Sequence, residues 1–113
     1  MQNSDKLKFL KDKLILVENL TDKISDYLDK DFITEANYTK NLDSLYSSRK
    51  KELYELKKLM TTFNTLIDDS LSIRVEVLIE KDKNNLDKLN KKIEFIRLNL
   101  RKLNNKKSLL LYR

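Results

Sequence analysis

The chain has 113 residues, 24 Lys or Arg against 18 Asp or Glu, and no Gly, Pro, Cys, His or Trp. Without Cys or His there is no zinc, haem or iron–sulfur ligand of the usual type, no disulfide, no thiol nucleophile and no imidazole base; without Gly there is no phosphate-cradling loop, which needs backbone of positive φ and close approach. The expectation is a non-catalytic binding or structural protein with no cofactor and no metal, folded as one domain over residues 1–113.

Leucine occurs 22 times, against 3 Val and 1 Ala. Leu, Lys and Glu favour helix, whereas a sheet protein needs Val, Thr and Gly-based turns. Near the N-terminus, Asp12 and Glu18 interrupt the apolar run and no small-residue cleavage site follows, so a secretory signal is not expected. No stretch approaches the ~20 apolar residues of a membrane span. The expected compartment is the cytoplasm.

The first segment opens after Asn3 or Ser4, either of which can cap a helix. Leu7, Leu10, Leu14, Val17, Ile24 and Leu28 alternate at three- and four-residue spacing, and Thr21 fills the gap. That is a helical stripe of seven-residue period. Phe9, Leu16, Leu20 and Tyr27 widen it, which suits a bundle better than a two-stranded coil. The pattern ends around Asp29-Lys30-Asp31. A second helix is expected from near Asp31 or Thr34, with the stripe Leu42, Tyr46, Arg49, Leu53, Leu56, Met60, Phe63, Ile67. Asp68-Asp69-Ser70 follows as the turn and cap of the next helix, a better reading than an acid pair for catalysis or a hard metal.

The third segment repeats Val75, Ile79, Asp82, Leu86, Leu89, Ile93, Ile96, Leu100, Leu103, Lys107 and Leu110. Unbroken, 75 to 110 spans about 54 Å at ~1.5 Å per residue. Asn84-Asn85 or Asn104-Asn105 can interrupt it; the second is the expected break, leaving a short final piece from Ser108 to Arg113. The fold class is therefore all-α: an elongated antiparallel bundle of three long helices, with room for a short fourth C-terminal helix. Aliphatics off the stripes, Phe95, Leu98, Leu109 and Leu111 among them, require a fourth piece, self-association or a partner to cover them.

Residues 81–113 hold 11 basic and 3 acidic side chains, and residues 1–80 hold 13 and 15. Such a basic third can meet nucleic acid, anionic lipid or an acidic protein partner, or be a solvated face. Its basic residues are spread round the helix and Tyr112 is its one C-terminal aromatic, so no specific nucleic-acid binding is expected. Arg49 and Asp82 occupy stripe positions. They either snorkel at a stripe edge or form registering ion pairs. Folding the first two helices about residue 33 and the last two about residue 69 places partners at number sums of about 66 and about 138. Arg49 is then expected near Glu18, and Asp82 near Lys57.

Two stretches carry a family likeness. LTDKISDYLDKDFITEANYTKNLDSLYSSRKKELYEL, Leu20 to Leu56, has an amphipathic helix, an Asp-rich bend at Asp29 and Asp31, then Arg49 followed by Leu53 and Leu56. LIEKDKNNLDKLNKKIEFIRLNLRKLNNKKSLLLYR, Leu78 to Arg113, has Asp82 near its start, then Lys106-Lys107 and the terminal Tyr112. Together they resemble the FliT family of flagellar and type III export chaperones, and the related FlgN group of hook-junction chaperones nearly as well. The family often has Gly where Asn104-Asn105 stands. The resemblance implies a cytoplasmic chaperone that holds the C-terminal helical segment of a filament-cap or hook-junction subunit in an apolar groove before export. It also implies contact with the export ATPase and a C-terminal segment that folds over the groove. The groove is expected between helices 2 and 3, with Leu71, Leu78, Phe95, Leu98, Leu109 and Tyr112 as partner-binding residues. A homodimer stays open, as does the alternative of a helical adaptor or coiled-coil subunit of a larger assembly.

Overall fold

The computed structural model describes the backbone of residues 2–30 and 37–111, and their side chains as far as residue 105. Three helices account for nearly all of it: α1 (Asn3–Leu28), α2 (Tyr38–Thr62) and α3 (Asp69–Leu111). A single 3-10 turn, Asn64–Leu66, joins α2 to α3. Among the described residues there is no strand, so the all-α expectation holds.

α1 buries the face its period specifies: Leu10, Leu14, Val17, Thr21, Ile24 and Leu28. Phe9 and Leu16, expected to widen that face, are exposed. Asn37, the N-cap of α2, has a φ of 58°, in the left-handed region. A Cβ is costly there, and Asn is the residue that best tolerates it when Gly is absent. The start expected near Asp31 or Thr34 falls outside the described residues. α3 is capped by Asp68, whose Oδ1 accepts the Leu71 N–H at 2.9 Å. The acidic run is thus a helix boundary, as its short side chains require.

α1 touches both other helices. Tyr27 meets Tyr38, Thr21 meets Arg49 and Lys13 meets Glu52 and Glu55, so numbers fall along α2 as they rise along α1. Toward α3 they rise together: Glu18 with Arg74, Asp22 with Lys81, Asp29 with Lys88. The apolar core lies in two clusters. Leu10, Leu14, Val17, Leu56, Leu71 and Leu78 form one; Ile24, Leu28, Tyr38 and Leu42 form the other.

α3 departs from expectation twice. Its buried positions are Leu71, Leu78 and Asn85, while Ile79 and Leu86 are 52% and 55% exposed. Leu71 and Leu78, expected beside the stripe, are therefore core; the hydrophobic pattern slips by one residue because a polar side chain, Asn85, holds a core position. Second, α3 runs unbroken through Asn104-Asn105 to Leu111, and no fourth helix occurs among the described residues. Asn costs only about 0.5–0.7 kcal/mol relative to Ala within a helix, too little to end one without Gly or Pro. α3 alone is about 64 Å long at ~1.5 Å per residue, and the molecule measures 76 × 23 × 19 Å.

Candidate protein-binding groove

Between the two apolar clusters lies a layer of polar side chains, drawn from all three helices. Thr21 donates its hydroxyl to the Val17 carbonyl at 2.8 Å and accepts from Arg49 Nε at 3.1 Å. Asn85 Nδ2 donates to the Thr21 carbonyl at 3.1 Å, and Arg49 Nη2 pairs with Asp82 Oδ1 at 3.0 Å. Thr21, Arg49 and Asn85 are buried; the Asp82 side chain is 42% exposed. Tyr46 stands beside this pair, its hydroxyl pushed above the usual 10.0 by burial and then by the Asp82 charge. Each buried polar atom of the layer has a partner, which is the condition for tolerating polarity in a core.

These contacts correct both expected ion pairs. Arg49 does not meet Glu18, which Arg74 grips through Nε and Nη2. Asp82 meets Arg49 rather than Lys57. Number sums treat helices two at a time, whereas α1 presents Thr21 to α2 and turns Glu18, three residues earlier, toward α3. The signal in sequence is that Thr21, Arg49 and Asp82 are the polar members of otherwise apolar stripes, one on each helix; Asn85, off the expected stripe, had none. The clamp of Lys13 on Glu52 and Glu55 had no comparable signal.

Asp82 and Arg49 also stand at one end of a groove between α2 and α3, with a volume near 540 Å³. α2 contributes Leu53, Leu56 and Met60, and α3 contributes Val75, Leu78 and Ile79, with Lys57 and Thr61 on its rim. The groove exists because α1 packs against both helices and holds them apart. Its floor is apolar and its one end is charged, a combination suited to an amphipathic helix.

Of the residues expected to bind a partner, Leu78 lines this groove. Leu71 lies under it, in the core beside Leu10 and Leu14. Phe95 and Leu98 lie farther along α3, half exposed. The Leu109 side chain and all of Tyr112 are outside the described residues. As far as Leu111 the backbone does not fold back: as one helix, α3 carries position 109 about 40 Å beyond Asp82. Among the described residues no cluster of acidic side chains could hold a metal, and no helix is long and apolar enough to cross a membrane. Compared with known proteins, the chain matches no family model, no curated protein and no solved structure.

Proposed function

We propose that this chain is a non-catalytic, cytoplasmic export chaperone, an elongated antiparallel bundle that holds the C-terminal amphipathic helix of a late flagellar subunit. The filament cap and the hook junction supply the two candidate clients. The observation that carries the reading is the groove of 540 Å³ between α2 and α3, with an apolar floor and the Arg49–Asp82 pair at its end. The resemblance to the FliT and FlgN families in Leu20 to Leu56 and Leu78 to Arg113 supports it. An apolar client face laid on Leu53, Met60, Val75 and Ile79 is shielded from premature assembly, because that face is then no longer available to other subunits. The export ATPase is a further candidate partner.

Binding of the two subunits' C-terminal segments to the full chain tests this. Ile79 lines the groove yet is half exposed, so Ile79→Asp should abolish binding while leaving the helical circular-dichroism signal intact. If neither segment binds, the chaperone reading fails. The second reading, a helical adaptor in a larger assembly, then takes its place; the exposed apolar residues of α3 beyond the core favour it.

A further inference from the structure

Among the described residues, the ties of α3 to its neighbours include Arg74 on Glu18 and, farther along, Lys92, whose ammonium reaches the Lys30 carbonyl. The helix then continues to Leu111, a projection of about 28 Å at ~1.5 Å per residue. Along it the three-and-four spacing persists: Ile93, Ile96, Leu100 and Leu103 are 39%, 37%, 54% and 62% exposed. A lone helix of this length is marginal in water, and a seam of this kind ordinarily meets a second helix.

The composition beside the seam discriminates among occupants. The flanking positions are Lys92, Arg97, Asn99 and Asn104, with Lys106 next in sequence, and none is acidic. From Lys91 to Arg113 there are 8 basic residues and one acid, Glu94. A second copy would set basic flank against basic flank in either orientation, which disfavours self-pairing. A lipid surface needs a broad apolar face, yet this seam is narrow and bordered by asparagines, while Phe95 and Leu98 project on other sides. Nucleic acid would satisfy the charge and leave the seam wet.

We propose that α3 from Ile93 onward is a docking arm for an acidic amphipathic helix of a partner protein, which pairs along Ile93, Ile96, Leu100 and Leu103 and sets its acids against Arg97 and the neighbouring basic residues. The arm lies outside the α2–α3 groove, so this inference does not rest on the chaperone reading.

Two synthetic helical peptides of about three heptads, each with leucine at the seam positions, test the arm on the full chain at about 0.15 M salt. One carries Glu at the flanking positions and the other Lys. The Glu peptide should bind about tenfold more tightly or better, and Arg97→Glu should reduce or reverse that preference. Leu100→Asp should remove binding; should that variant lose helicity, the Arg97→Glu comparison still decides, since it leaves the seam intact. Ile79→Asp should leave the peptide's affinity unchanged, which separates the arm from the groove. Equal affinity for the two peptides, or none for either, overturns the proposal. So does sedimentation as a dimer that Leu100→Asp dissolves, or binding to vesicles with about a quarter phosphatidylserine that the Glu peptide fails to displace.

Discussion

Arg49 is the side chain on which the three helices converge. Its guanidinium is nearly enclosed, with a neutral acceptor in Thr21 and one counter-charge in Asp82. Removing the two ends of this pair should not cost the same. Asp82→Ala strands a buried cation, and because Asp82 is itself 42% exposed, the loss should be about 1–2 kcal/mol rather than the ~3–5 of a fully buried pair. Arg49→Met keeps the volume and removes the charge, and Thr21 retains its bond to the Val17 carbonyl; the change should stay within about 1 kcal/mol. Urea titrations of both variants check the asymmetry. Equal losses would mean that the pair, and not the burial of the cation, sets the cost.

Between elements, the contact of α1 with α2 includes an electrostatic clamp. Lys13 Nζ lies 2.7 Å from Glu52 and 2.6 Å from Glu55. The bond to Glu52, then that to Glu55, holds the ammonium above its usual 10.5, and Lys13 holds the Glu55 carboxyl below its usual 4.5. A carboxyl with a lowered folded value contributes stability above its unfolded value and loses it as pH falls; an ammonium with a raised folded value contributes below its unfolded value and loses it as pH rises. The clamp should therefore be constant from about pH 5 to pH 10 and weaken only outside that window. Glu55→Gln should lower the urea midpoint within the window, with the difference from the parent shrinking below pH 4.5. An undiminished difference in acid would remove the ion pair as its cause.

The same elements show what the sequence made legible. α1 was readable because every core position but one is aliphatic, and Thr21 fills the gap at the right interval. α3 was readable as a helix but not in register, since Asn85 is core and Leu86 is not; Asn84-Asn85 reads as a possible break, whereas Asn85 stays in the helix and its hydrogen bond to a backbone carbonyl offsets the burial cost. Arg49 and Asp82 stood out as stripe residues, yet their partnership depends on α1 holding α2 and α3 at a fixed separation. That is a three-body fact, and pairwise registers do not contain it. The groove between α2 and α3 follows from the same separation. Of the expected lining residues that the structure describes, Leu78 lines it and Leu71, Phe95 and Leu98 do not.

At the scale of the molecule, the continuity of α3 governs shape. The radius of gyration over Cα atoms is 20.0 Å, against about 13 Å for a compact chain of this length. Small-angle scattering from dilute monomer should return a value near 20 Å; one near 13 Å would mean that the arm folds back on the bundle, where it could cover the groove.

The placing of the helix ends also decides where things can be attached. Lys6 and Leu7 sit by Phe63 and Ile67, at the end of the rod where α2 turns into α3, while the far end of α3 points the opposite way. A tether at the start of α1 and a load at the tip of α3 are therefore held apart by most of the 76 Å axis. Between them runs one continuous helix, with no Gly or Pro to act as a joint. Whatever grips the two ends is kept at a set distance, and a pull on one is passed to the other with little slack: the molecule has the mechanical character of a strut.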